Sequence, residues 1–368
     1  MYTVIVLVCK CHYFYQVIWK TLYCDSASNH GMLKFFRNKL NRTSVSNDPK
    51  KEVDATIDFL TTVVKGHWIA CACEILGITD VNGPIRYSQG ILIADPQKKR
   101  EFVEDIARNV VDRLTLMDSA FIVPGEISDS GDTCYNYARV LCHYGSLVVE
   151  FRDGWGNGDG KRMTRCWKLF MPHFQTASCT KYSLAALNIQ FQINATLSPN
   201  AAHQVMWHRF VNSKGGMGNN IPCDLYNEHI NKLVKHIIQN MGPNLTEKSL
   251  QRAARSVSTL HSICAAFDKQ SGVPHGTVAH STRSDTQDVI KVANTVLSNQ
   301  LLTPTQGRKH SVFPKLHLDP LYKWDIQKTL SWIEKKKKDY YKYRRCMHGE
   351  GDSDDDESVD GDAEEEQS

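Results

Sequence analysis

The chain has 368 residues, 41% hydrophobic and 23% charged, an ordinary globular balance that excludes a fibrous or wholly disordered protein. Its net charge of +4 hides a segregation: residues 350–368 carry eleven acids and no base, leaving 44 bases against 29 acids in the residues before them. Twelve scattered cysteines in a chain this long exclude a small disulfide-stapled scaffold, and no window approaches the roughly 20 apolar residues of a membrane span.

Taken in chain order, Tyr2 to Val8 is a short apolar run with no basic residue before it and no small-residue cleavage site after it, so it does not read as a signal peptide. Asp48-Pro49 has the form of a helix start, an N-cap with proline at the first helical position, and Val53, Ile57, Leu60 and Val64 then share a face. Asp95-Pro96 repeats the device ahead of Phe102, Ile106, Val110, Leu114 and Met117. A third helix is expected from Thr133 to Phe151, with Leu141, Tyr144, Leu147, Val148 and Phe151 turned inward. Gly154, Gly156, Gly158 and Gly160 should end it, because glycine holds a helix poorly.

Beyond that turn, helices are expected over Cys166–Phe174 and Tyr182–Thr196, and another beginning at Pro199. A second glycine-rich turn (Gly215, Gly216, Gly218) leads through Ile221-Pro222 into an amphipathic helix starting near Asp224, with Asp224 as its N-cap. Its apolar stripe is Tyr226, Ile230, Leu233, Val234, Ile237 and Met241. Thr246 caps a helix with Val257, Leu260, Cys264 and Phe267 on one stripe, and Ser284 with Gln287 reads as a capping box for the next. A proline-punctuated stretch from Thr303 to Pro320 closes the compact region, and Leu321 to Arg345 reads as one long basic helix. No hairpin signal joins two alternating strands and no repeat is visible.

Few residues suggest chemistry. The 154–160 glycines do not make a phosphate loop, since Lys161 is followed by Arg162 rather than Ser or Thr, nor a calcium loop. Asp224 and Glu228 could hold Mg²⁺ for phosphoryl transfer, although an N-cap role for Asp224 and a solvated Glu228–Lys232 pair account for them just as well. The histidines at 203, 208, 229, 261, 275 and 280 have no metal-site spacing, and Cys134 and Cys142-His143 fare no better. Lys335, Lys336, Lys337, Lys338, Tyr340, Tyr341, Lys342, Tyr343, Arg344 and Arg345 form the clearest functional surface. Their cations neutralise phosphate, their rings offer stacking platforms for unpaired bases, and the same run would serve as a nuclear import signal. Lys161, Arg162, Arg165, Arg252 and Arg255 make a candidate second patch.

The segments Trp207 to Gly242, Asn244 to Lys248, Arg255 to His261, Ala279 to Asp285 and Asp159 to Trp167 closely resemble one family, catalogued as domain of unknown function 6589 in animal and fungal proteins. The resemblance covers most of residues 1–320 and implies no established activity. Longer relatives carry two early aspartate blocks, a helical insertion and a late helix-borne glutamate. That order is similar to the split ribonuclease-H-like core of some cut-and-paste transposases. Only the last element has a counterpart here, Glu228, so the resemblance implies an N-terminally truncated member without complete catalytic machinery.

The expected fold is therefore mainly α, a multi-helix globular body, with a split ribonuclease-H-like α/β core and helical insertion as the further possibility. Helical regions at 1–152 and 163–320 flank a glycine-rich turn at 153–162, followed by a basic helix at 321–349 and an acidic disordered tail at 350–368. The expected function is that of a mobile-element-derived, nucleic-acid-associated protein of the nucleus, or else the cytoplasm. Its partners would be DNA or RNA, or basic proteins through the tail, with no membrane and no cofactor. The alternatives are a Mg²⁺-dependent phosphoryl-transfer enzyme completed by missing N-terminal sequence, and a protein-interaction scaffold.

Overall fold

The computed structural model describes residues 12–25, 29–49, 51–83, 94–114, 131–213, 215–244, 246–272 and 285–347, some side chains at 12–13, 229–268 and 343–347 excepted. The chain forms two compact units, Met1–Trp324 and Asp325–Ser368. Helices α1 (His12–Leu22), α2 (Leu33–Lys39), α3 (Val53–Ile75), α4 (Pro96–Leu114), α5 (Thr133–Asn157), α6 (Gly160–Thr176), α7 (Thr180–Phe191) and α8 (Pro199–Trp207) come first. Strands β1 (Phe210–Val211) and β2 (Ile221–Pro222) follow, then α9 (Cys223–Met241), α10 (Glu247–Ser271) and α11 (Thr286–Ser298); α12 (Ile326–Met347) belongs to the second unit. The fold is mainly α. Among the described residues the sheet is one antiparallel pair, so the extended sheet of a ribonuclease-H-like core is not seen there.

α3 is the axis of the body because it is apolar on more than one side. Ile57, Phe59, Leu60, Val63, Val64, Ala70 and Cys71 are all buried, more than the single stripe expected. On one side α11 lies so close that a Cβ on Gly66 would collide with Val292; on another, a Cβ on Gly145 of α5 would collide with Val64. Two glycines thus let three helices approach to backbone distance. α5 and α6 carry the aromatic core, where Phe14 of α1 stacks on Phe170 at 4.0 Å and Phe151 lies 5.4 Å from the same ring.

The irregular stretch 303–320 is pinned rather than loose. Asp132, fully buried, caps α5 by accepting from the Cys134 and Tyr135 amides at 3.0 Å, and also accepts from the Thr305 amide at 2.8 Å. Arg308 completes the clamp with Nη2 2.7 Å from the same carboxylate and Nε donating to it as well, while Nη1 reaches the Asn299 and Gln300 carbonyls and Nη2 also the Thr303 carbonyl. Asn136 Nδ2 donates to the Leu316 carbonyl at 2.8 Å. Burial pushes the Asp132 pKa up, but the hydrogen bonds and charge of Arg308 and the backbone amides outweigh it and leave the carboxyl below its ordinary value.

Several helix boundaries depart from expectation, among them the start of α6 at Gly160 and of α12 at Ile326. Asp48-Pro49 does not start α3, which begins at Val53 after Glu52. The Asp48 carbonyl accepts from Ser46 Oγ at 2.7 Å and from the Lys51 amide, so this dipeptide closes a turn instead. α5 does not stop near Phe151 but runs to Asn157, through Gly154 and Gly156, and ends at Gly158 in the left-handed conformation. At α11 the N-cap position is Asp285, without a side-chain cap bond; Ser284 lies outside the described residues.

Candidate functional site

α12 opens at Asp325, whose carboxylate accepts from the Lys328 amide at 2.8 Å. At 100° per residue the helix divides its lysine block. Lys336 and Lys337 turn to one flank, where Lys336 pairs with Asp339 at 3.1 Å and Lys337 with Glu334 at 3.7 Å. Lys335, Lys338 and Lys342 fall on another face together with Lys328, which the sequence reading does not single out. All four are exposed, and none pairs with a carboxylate among the described residues. The stripe extends about 21 Å along the axis. Tyr340 and Tyr341 meet edge to face at 6.2 Å, with Tyr341 exposed. The side chains of Tyr343, Arg344 and Arg345 lie outside the described set.

The acidic pair sits where the ribbon feeds α9. Phe210 lies opposite Pro222 and Val211 opposite Ile221, and the Cys223 amide donates to the Arg209 carbonyl at 2.8 Å. Because β2 runs directly into the helix, Pro222 takes the N-cap position; Asp224 is not the N-cap but a first-turn residue, its carboxylate accepting from the Leu225 amide at 3.0 Å. Glu228, one turn on, is exposed. Half-buried Arg209 lies near this turn; burial lowers its pKa, while Asp224 and Cys223 oppose that shift. Burial and Asp224 raise the Cys223 thiol, with Arg209 opposing, which disfavours a thiolate nucleophile there. Among the described residues no three His, Cys, Asp or Glu side chains gather as a metal site. The small cavity beneath, lined by Met163, Trp167, Ile193, Met206, Arg209 and Phe210, has room for about one water and no substrate.

The two glycine-rich segments are one contact. Asn220 donates to the Gly156 carbonyl through its amide at 3.1 Å and its side chain at 2.8 Å. A Cβ on Gly160 would collide with the Met206 carbonyl. The junction of α5 and α6 at 154–160 is therefore the seat of the ribbon and its loop. That loop, braced by Asn212 onto the Gly216 carbonyl and Asn219 onto the Gly215 carbonyl, both at 2.8 Å, holds Met217 out to solvent.

The second basic patch divides as well. Arg162 is bound by Glu150, Asp153 and Asp159, whereas Lys161 and Arg165 are exposed and share a face with Lys168. Arg252 and Arg255 are exposed on α10. The histidines that the fold does bring together are His143, which the sequence reading sets aside as a ligand, and His173, which it does not name: they approach Nε2 to Nε2 at 3.3 Å beside Phe14 and Tyr144. Burial, with a smaller push from Arg139, lowers His143 to about 4; burial and then His143 hold His173 well below its ordinary value. One neutral ring donates to the other, a packing role. A signal was available in the spacing, since His173 extends the inward stripe of Cys166, Trp167 and Phe170.

An α-helical body with a glycine-seated ribbon, and a lysine-striped helix in a separate unit, is the class of molecule these features define. The model of a family of unknown function, DUF6589, matches residues 12–280, and the chain belongs to that family. Asp224 and Glu228 lie within the matched residues; α11 and α12 lie beyond them. No curated protein and no solved structure matches the chain. Among the described residues no helix is long and apolar enough to cross a membrane.

Proposed function

We propose that the chain is a nucleic-acid-associated protein of mobile-element origin, working in the nucleus without a complete set of catalytic carboxylates. The observation that carries the reading is the stripe of exposed lysines on α12, Lys328, Lys335, Lys338 and Lys342, which pair with no carboxylate among the described residues. Cations so spaced neutralise successive phosphates and release their counterions, and Tyr340 and Tyr341 supply rings on which unpaired bases stack. Four phosphate contacts imply that affinity falls roughly hundredfold between 50 and 200 mM salt. The test is a titration of residues 1–349 against single- and double-stranded DNA across that range. A steep loss supports the reading; no binding at low salt ends it, as does a slope unchanged when Lys335, Lys338 and Lys342 become alanine. Nuclear accumulation of a fluorescent fusion, lost when Lys335 to Lys338 become alanine, tests the compartment.

The second reading, Mg²⁺-dependent phosphoryl transfer, is favoured by one observation: Asp224 and Glu228 stand one turn apart at the start of α9. Such chemistry takes several converging carboxylates. It predicts strand cleavage that needs Mg²⁺ and vanishes in Glu228→Gln; the same cleavage rate in that variant eliminates it.

A further inference from the structure

α9 and α10 form a hairpin in which no described side chain is fully buried. On α10, Leu260, Ile263 and Phe267 are 50%, 57% and 67% exposed, and Cys264 is exposed beside them. Positions i, i+3, i+4 and i+7 fall on one face of a helix, within about 100° of arc. Elsewhere in the body such a stripe is covered, as with Met163, Cys166, Trp167 and Phe170 of α6. Four adjacent exposed apolar positions differ from the scattered ones of an ordinary surface.

The stripe is symmetric about the midpoint between Ile263 and Cys264. Two copies laid antiparallel about a twofold axis there would bring Leu260 of each onto Phe267 of the other, Ile263 onto Ile263 and Cys264 onto Cys264. That self-complementarity is what a twofold contact between identical surfaces requires. Charge is compatible with the same arrangement. In antiparallel overlap the exposed Arg252, about 70° round the helix from the centre of the stripe, falls about one turn beyond the end of the opposing helix at Gly272. The C-terminal end of a helix carries partial negative charge that cations stabilise. A parallel pairing would set Arg252 against Arg252 beside the seam.

We propose that this face of α10 pairs with the same face of a second copy of the chain. The three large side chains offer on the order of 400 Å² per copy, about half of the ~800 Å² per partner of a standard stable interface. The dimer is accordingly weak and reversible, in the micromolar range. The inference is independent of the nucleic-acid reading, because it uses neither α12 nor the tail.

Sedimentation equilibrium of the full chain across the micromolar range, without nucleic acid, tests it. The expected result is a monomer–dimer equilibrium whose dissociation constant rises roughly thirtyfold or more in Ile263→Glu and in Phe267→Glu, with helicity by circular dichroism unchanged. A second measurement needs no disruptive substitution. At a helix separation of 8–10 Å the paired Cys264 thiols come within bridging reach. Diamide, accepting the two hydrogens as the two sulfurs join, should therefore yield a covalent dimer that Cys264→Ser abolishes. A monomer at every concentration overturns the proposal, because this face then awaits a different occupant. So does a dimer indifferent to both glutamates, or crosslinking undiminished in Cys264→Ser.

Discussion

Replacing Asp132 by alanine should be among the most damaging single changes in the body. The carboxylate is fully buried and accepts from three backbone amides and two nitrogens of Arg308. Loss of the cap on α5 costs about 1 kcal/mol. Leaving a largely buried guanidinium without its counter-ion dominates, at roughly 3–5 kcal/mol when one partner of such a pair is removed. Its remaining carbonyl contacts soften that figure, so about 3–5 kcal/mol in total is expected, a fall in Tm on the order of 6–15 °C for a body of this size. Asp132→Asn separates the contributions: asparagine still caps, so what remains is the charge. The double variant Asp132→Asn/Arg308→Met should recover much of the loss, since an apolar pair replaces two desolvated charges. The pH dependence follows from the depressed carboxyl. The stabilisation is fully present above the unfolded pKa of about 3.9 and disappears as pH falls through the lower folded value, so wild type and Asp132→Asn should converge in acid. Thermal and urea unfolding at neutral pH and below pH 4 measure both effects. A Tm within about 1 °C of wild type for Asp132→Ala would refute the reasoning.

Four further outcomes are expected. Gly160→Ala, which forces a Cβ onto the Met206 carbonyl, should cost about 3 kcal/mol in urea unfolding, whereas Gly77→Ala, left-handed but in open space, should cost only about 1; equal costs would show that the seat is not tight. Burial depresses His67, His143 and His310 each to about 4 and holds His173 well below its ordinary value, so the folded body is most stable above the unfolded histidine pKa of about 6.5 and weakens as pH falls toward 4. Each histidine adds up to about 1.4 kcal/mol per pH unit to that slope, and His143→Gln should remove one such share. Deleting residues 350–368, with their eleven acids, should raise DNA affinity at low salt and change it little at high salt, because the tail's field is screened. Alanine at Lys335, Lys338 and Lys342 should lower the salt slope by roughly 0.9 per residue, read by fluorescence anisotropy, and more than alanine at the ion-paired Lys336 and Lys337.

Helices were legible where local chemistry and packing agree. Asp95-Pro96 caps α4 as its wording predicts, with Asp95 accepting from the Lys98 amide at 2.9 Å, and Thr246 caps α10 through the Ser249 amide at 3.2 Å. The same dipeptide at Asp48-Pro49 does not, because Ser46 and Lys51 engage the Asp48 carbonyl first. Glycine propensity misleads at Gly154 and Gly156, where Arg162 and Gly218 come to 3.0 and 3.1 Å from where a Cβ would sit and close packing outweighs the helical penalty. The lysine block was legible as a surface, and its helical phase could be calculated. Which lysines are held by Glu334 and Asp339 depends on side-chain geometry that sequence does not carry. The Asp132–Arg308 clamp, its partners 176 positions apart, leaves no trace in local pattern, and the stripe that turns His173 inward does not say that His143 meets it.

The close packing of α11 on α3 separates two kinds of boundary. The shared family sequence ends at residue 280, yet the side chain that fills the notch at Gly66 is Val292, and the cation that neutralises Asp132 is Arg308. A fragment cut at the family's edge would expose that notch to water and leave a buried carboxylate without its charge partner. The stretch that the family model matches is thus shorter than the compact unit to which it belongs. An expression design drawn from sequence likeness alone would discard the keystone of its own arch.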